Sequence, residues 1–178
     1  MAERLNYNSE PDTRQVGDHL YRYWLACQEM KGMSSVVDAG CGYGFGSDLL
    51  SRYCDLVFAV DYNESCINEV FDKFNDKGNI VTQQCDFNYD RLPEAQVLVC
   101  FEVIEHLELP INLINQFDKY KKVIISTPII PTKHTNSFHL QDFTEKQVLS
   151  WFNKGWKIKW TKKQHDEVYL IICAEKLS

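Results

Sequence analysis

The sequence predicts an α/β fold: one doubly wound, seven-stranded, mostly parallel sheet with an antiparallel last strand and helices on both faces. Three observations predict it. Short apolar runs alternate along the chain with segments of helical period, the pattern of βα units around a parallel sheet. The first run, Val36-Val37-Asp38-Ala39, leads into glycine at every second position: Gly40, Gly42, Gly44 and Gly46. Glycines so placed allow a tight turn and let a ligand approach main-chain N–H groups. Acidic residues, Asp38, Asp61, Asp86 and Glu102, stand at the ends of successive runs, where open parallel sheets bind their ligands.

Each element follows from local pattern. Val16, Leu20, Tyr23, Trp24 and Cys27 recur at helical spacing between residues 16 and 30. Residues 34–38 form the first strand and 46–53 a helix. Residues 56–60 form a second buried strand ending at Asp61. Asn63 caps a helix to about Asp76, which Gly78 ends. Residues 79–82 are a third strand. Residues 96–101, nearly all apolar, are a fourth strand buried on both faces. Pro110 starts a helix to about Tyr120, and 123–126 is a fifth strand stopped by Thr127-Pro128. A loop over 129–142 carries Pro131, His134 and His139. Thr144 caps a helix to Asn153. Residues 156–161 and 168–174 close the sheet as an antiparallel pair. The expected organisation is a loose segment over 1–14 and a single domain over 15–178.

Composition narrows the function classes. The chain has 178 residues, enough for one sizeable core. A net charge of −6 and a pI near 5.4 leave no overall basic footprint for nucleic acid. The densest positive stretch, Lys154 to Lys163, reads as a solvated strand face. No apolar run reaches the roughly 18 residues of a membrane span, and the N-terminus lacks a signal-peptide layout. Seven cysteines occur without a Cys-x-x-Cys pair, so neither a zinc ribbon nor a redox pair is indicated. Cytoplasmic localisation, no membrane partner and a monomer or homodimer are the expectations.

The spacing from the glycine loop to Asp61 suits a carboxylate that accepts two hydrogen bonds from a ribose diol. The run Asp38-Ala39-Gly40-Cys41-Gly42-Tyr43-Gly44 resembles the glycine-rich motif of class I S-adenosylmethionine-dependent methyltransferases. Phe58-Ala59-Val60-Asp61 is similar to their second-strand motif, Val97 to His106 to their fourth-strand motif, and Ile124 to Pro128 to their fifth strand. Asn136 to Thr144 and His19-Leu20-Tyr21-Arg22-Tyr23 resemble further segments of one branch. The resemblance implies a Rossmann-like fold and S-adenosylmethionine as cofactor. It implies that Asp38 and the backbone of Gly40, Gly42 and Gly44 serve the methionine part. Asp61 then takes the ribose hydroxyls, Tyr62 lies against the adenine, Asp86 accepts from its amine and Phe87 donates a backbone N–H. Phe101 and Glu102 line the methionine end, and Arg22 reaches its carboxylate. A dehydrogenase is the rival for such a loop, but its Gly-x-Gly-x-x-Gly count fits less well.

Glu102, Glu105 and His106 fall on one side if a helical turn starts at Glu102, and His139 can approach from the later loop. They are the catalytic candidates, with His106 as proton acceptor. Two carboxylates and two imidazoles also suit a divalent cation. The set resembles that of small-RNA 2′-O-methyltransferases, which hold a metal, and of ubiquinone-pathway O-methyltransferases. His134 and His165 read as solvated loop residues, and His19 as covering the cofactor. No Asn/Asp-Pro-Pro-Tyr/Phe follows the fourth strand and no Pro-Cys is present, against methylation of DNA bases. Where many relatives carry Pro-Gly-Gly, this chain has Lys119-Tyr120-Lys121-Lys122.

Three functions stay open at this point. The first is methylation of an oxygen of a small molecule or glycan. The second is metal-assisted RNA 2′-O-methylation through Glu102, Glu105, His106 and His139, against which the acidic charge counts. The third is a non-catalytic cofactor-binding subunit.

Overall fold

The computed structural model describes residues 13–177; most of the expected loose segment over 1–14 lies outside them. The elements are α1 (Thr13–Gln28), β1 (Ser35–Ala39), α2 (Phe45–Leu50), β2 (Leu56–Asp61), α3 (Glu64–Phe74), β3 (Ile80–Gln84), β4 (Val97–Phe101), α4 (Pro110–Ile114), β5 (Lys122–Pro128), α5 (Glu145–Ser150), β6 (Trp156–Gln164) and β7 (Tyr169–Lys176). The sheet order is β3-β2-β1-β4-β5-β7-β6. β1 to β5 run parallel, and β7 is antiparallel to both its neighbours. The order reverses between β1 and β4, so their carboxyl ends open a crevice at the switch point.

Alternating residues on each strand build two apolar layers, because successive side chains point to opposite faces. Val37, Leu98, Ile125 and Ile172 face one way and meet Phe117, Tyr120 and Phe152. Val36, Val99, Ile124 and Ile171 face the other and meet Tyr23, Ala26, Met30 and Leu50. Every residue of β4 and β5 is buried, which is why those strands read as unbroken apolar runs.

Local chemistry sets the ends. The Asn63 side chain accepts from the Cys66 N–H at 3.3 Å to cap α3, and Gly78 closes the following turn at φ 73°. Thr144 and Gln147 form a reciprocal capping box on α5. Several boundaries differ from expectation: α2 and α5 each end three residues early, at Leu50 and Ser150, and β6 runs on to Gln164. α4 stops at Ile114, and a 3-10 turn over Phe117–Lys119 follows, because Phe117 and Tyr120 must both enter the core. β5 continues through Thr127 and Pro128, which pair with Leu170 and Tyr169 of β7. Among the described residues no helix is long and apolar enough to cross a membrane.

A polar clamp holds the end of the sheet away from the crevice. Lys122, buried at the start of β5, donates to the Glu29 carbonyl at 2.9 Å and to its carboxylate at 2.8 Å. Lys159 and Trp160 of β6 donate to the same carboxylate at 2.7 and 2.9 Å. Burial works to raise the Glu29 carboxyl, but these three donors outweigh it and hold it at about 2 against an ordinary 4.5. The clamp therefore stabilises the fold fully above pH 4.5, and that contribution is lost as pH falls from 4.5 towards 2. Glu29→Ala is expected to lower stability by about 3 kcal/mol near neutral pH, as for a broken buried pair. Urea unfolding at several pH values checks this: the gap between the two proteins should narrow on acidification.

Candidate active site

The crevice at the carboxyl ends of β1, β2 and β4 is a cavity of about 580 Å³, within the roughly 300–1,000 Å³ of small-molecule sites. The glycine loop, the residues after β2, β3 and β4, the 136–140 loop, α1 and the β6–β7 turn all line it.

The loop turns through left-handed backbone at Gly40 (φ 80°) and Gly42 (φ 52°). The N–H groups of Gly40 and Cys41 both donate to the Val60 carbonyl, at 2.8 and 3.0 Å, and that of Gly42 donates to Asp61 Oδ2 at 3.0 Å. A Cβ on Gly46 would stand 1.9 Å from the Tyr23 ring, so this glycine serves close packing of α2 on α1.

Two residues expected at the ligand take other places. Asp38 is buried and does not line the cavity. Its Oδ1 accepts from the Tyr23 hydroxyl at 2.8 Å and its Oδ2 from Ser47 Oγ at 2.6 Å. Burial pushes its carboxyl up to about 6, against the pull of those two donors. It supports the loop from beneath, because both its oxygens are committed to α1 and α2. Gly44 likewise packs on α3, where a Cβ would come within 2.8 Å of Val70.

Gly40, Gly42, Asp61, Tyr62, Asp86, Phe87, Phe101, Glu102 and Arg22 all line the cavity. Asp61 is buried at the end of β2, and its Oδ1 accepts from the Asn63 N–H at 2.9 Å. Asp86 Oδ1 accepts from the Asn88 backbone at 2.9 Å. Phe101 meets Tyr23 edge-on at 5.1 Å. Arg22 is buried, its Nη1 lying 3.6 Å from Glu102 Oε1. Burial, then the Arg22 charge, drive His19 down to about 3, so it lines the cavity as a neutral ring. His165 departs from the solvated place expected for it: it bonds Asp18, meets Tyr169 edge-on and lines the cavity.

Glu102 sits at φ 54°, a strained conformation for a residue other than glycine. Its Oε1 accepts from Ser126 Oγ at 2.6 Å. The turn that follows, Ile104–His106, is 3-10 rather than α. It sends Glu105 inward, fully buried, where Oε2 accepts from Thr127 Oγ1 at 3.1 Å. Glu105 Oε1 has no hydrogen-bond partner among the described residues. Burial, then the adjacent Glu102, raise the Glu105 carboxyl well above the ordinary range, and unlike Glu102 and His106 it does not line the cavity.

His106 Nδ1 lies 3.0 Å from the Phe138 carbonyl. A carbonyl only accepts, so Nδ1 carries a proton, and in the neutral ring the lone pair is then on Nε2. His139 is buried, edge-on to His106 at 4.8 Å. The Asn136 amide donates to its Nε2 at 2.9 Å, which leaves Nδ1 to donate to Thr132 Oγ1 at 2.7 Å. Ligand atoms of Glu105, His106 and His139 lie within 4.8 Å of one another. Glu102, expected in the same set, lies outside that group among the described residues and turns to Ser126 and Arg22.

Sequence reasoning missed Ser126, Thr127, Asp18, Gln164 and Tyr169 around these groups. No local spacing marks them: the pairing of β5 with β4 and β7 brings in Ser126, Thr127 and Tyr169, the pairing of β6 with β7 brings in Gln164, and α1 carries Asp18.

Gly46→Ala is expected to lower stability by about 1–3 kcal/mol, the range for overpacking, because the methyl forces Tyr23 off Asp38. A shifted urea midpoint measures it.

A sequence model of a family described as "Methyltransferase domain" matches residues 3–161. A probable S-adenosylmethionine-dependent methyltransferase of Mycobacterium tuberculosis, MT3114, is 29% identical over 127 residues, covering 65% of this chain and 45% of the relative. The chain thus spans about half the length of the curated relatives it matches. Among solved structures, the methyltransferase domain of bacterial CtHen1-C is similar at TM-score 0.69 and 19% identity, over 88% of this chain and 97% of that one. The YcgJ protein of Bacillus subtilis is similar at TM-score 0.73 and 11% identity, over 90% of this chain and 100% of that one. At those identities the two structures speak for the fold alone.

Proposed function

This chain belongs to the S-adenosylmethionine-dependent methyltransferases, and from that premise we propose that it methylates an oxygen atom of a small molecule or sugar. The observation that carries the reading is the cavity at the β1/β4 switch point, in which glycine backbone and the strand-end carboxylates of Asp61 and Asp86 face one space.

The donors and acceptors fit the cofactor. Asp61 lines the cavity and accepts from Gly42 and Asn63, and a carboxylate suits a ribose diol because each of its oxygens can accept more than one hydrogen bond. Asp86 and Phe87 serve the adenine with Tyr62. Gly40, Gly42, Phe101, Glu102 and Arg22 surround the methionine end. When bound, S-adenosylmethionine supplies a sulfonium-activated methyl group. The residues then need to align an acceptor and receive its proton.

His106 Nε2 is suited to receive that proton, because the Phe138 carbonyl holds the ring in the tautomer with a free lone pair on that nitrogen. Glu105, fully buried and outside the cavity lining, braces the turn that carries His106 through its bond to Thr127. His139, braced by Thr132 and Asn136, backs His106. That all seven cysteines are free thiols supports a reducing, cytoplasmic setting, for a monomer or homodimer.

One observation favours a second reading, metal-assisted 2′-O-methylation of RNA. Glu105 Oε1, without a hydrogen bond among the described residues and 4.0 Å from His106 Nε2, lies in a group with His106 and His139 whose donor chemistry suits a divalent cation. Holding one means that Glu105 binds as a carboxylate, against the upward push of its burial, and that His139 gives up its bond to Asn136 or to Thr132. The net charge of −6 counts against an RNA substrate.

Calorimetric titration with S-adenosylhomocysteine tests the cofactor site. Micromolar binding to wild-type protein, lost in Asp61→Ala, is the expected result; no binding to wild type removes the reading. Chelator should leave binding and turnover intact under the first reading and abolish turnover under the second. His106→Ala is expected to lower kcat about 10²–10⁴-fold with S-adenosylhomocysteine affinity unchanged. Cofactor binding without transfer to any hydroxyl acceptor would instead point to a non-catalytic cofactor-binding subunit.

A further inference from the structure

Arg22 is 2% exposed yet lines the cavity. Its Nε donates to Gln164 Oε1 at 2.8 Å, and its guanidinium lies 5.1 Å from the centre of the Tyr169 ring. The Gln164 Nε2 in turn donates to Asp18 Oδ1 at 3.3 Å. Asp18 Oδ2 takes His165 from the same β6–β7 turn. A chain of contacts thus runs from α1 to the turn and back to α1.

The direction of this chain is forced. Arg22 Nε only donates and the Asp18 carboxylate only accepts. An amide between them has one workable orientation, carbonyl towards Arg22 and NH₂ towards Asp18. Asp18 therefore dictates which face Gln164 shows to Arg22. Gln164 is neutral, so it fixes the guanidinium without cancelling its charge. Left to itself, Arg22 has a carboxylate beside it in Glu102, 3.6 Å away, and a flexible stem with which to reach it.

We propose that Gln164, oriented by Asp18, is a positioning residue that presents the Arg22 guanidinium to the carboxylate of the cofactor's amino-acid end. This rests on the reading of the cavity as an S-adenosylmethionine site. It makes the β6–β7 turn, distant in sequence from every cofactor motif, part of cofactor recognition.

The test compares two ligands. S-adenosylhomocysteine carries the amino-acid end and 5′-methylthioadenosine lacks it. In calorimetric titrations Gln164→Met should bind S-adenosylhomocysteine about tenfold more weakly, the loss of one hydrogen bond to a charged group, and 5′-methylthioadenosine as tightly as wild type. Asp18→Ala should shift the same ratio in the same direction, and it decides the matter if Gln164→Met does not fold. Unchanged S-adenosylhomocysteine binding, or equal weakening of both ligands, overturns the proposal. Wild-type protein that binds neither ligand overturns the reading of the cavity and this proposal with it. Wild-type protein that binds both equally removes only the role given to Arg22 and Gln164.

Discussion

The buried carboxyl of Asp38 is the point on which the site hangs. It closes β1, and its two oxygens hold Tyr23 of α1 and Ser47 of α2. Those bonds draw both helices under the glycine loop. Gly46 follows from them, since any side chain there would occupy the Tyr23 ring. Phe101 follows too, packed edge-on against that ring at the end of β4. The turn from Gly40 to Gly42 is shaped by bonds to Val60 and Asp61 of β2, but its floor is this three-element junction. A carboxyl with such a structural duty pays a desolvation cost, and its raised titration reflects that.

α1 is held at two places, by different chemistry. Near its C-terminus, Glu29 gathers Lys122, Lys159 and Trp160 at the end of the sheet remote from the cavity. Near the cavity, Asp18 and Arg22 engage the β6–β7 turn. Between them Tyr23, Ala26 and Cys27 pack on the core. The helix is thus both a wall of the cavity and a strut across the sheet, and it meets there the β6–β7 turn, whose His165 and Tyr169 line the same cavity.

The acids after β4 divide their roles by environment. Glu102 keeps company with Arg22 and Ser126, while Glu105 is fully buried beside it, its carboxyl pushed well above the ordinary range. Two neighbouring carboxyl groups in a low-dielectric pocket do not both ionise readily. The strained backbone at Glu102 and the 3-10 turn after it separate the two side chains. That geometry leaves His106, whose tautomer the Phe138 carbonyl sets, as the group with a lone pair to offer.

Much of this was legible in the sequence. Alternating apolar runs determined a mostly parallel sheet, because buried strands must be apolar on both faces. Glycine spacing and strand-end acids marked the crevice, because backbone that turns tightly against a ligand needs glycine there. Asn63, Gly78 and Thr144 ended their helices as capping chemistry requires. Tertiary structure decided what those residues do. Asp38 and Asp61 look alike in sequence, yet one bears the fold and the other faces the cavity. Glu102 and Glu105 look like one ligand pair, yet they turn apart. Asp18 and Gln164 meet across more than a hundred residues, with no local pattern to announce it. Local chemistry acts between near neighbours and is written in spacing. Burial, partner choice and protonation depend on strands and helices brought together from distant parts of the chain.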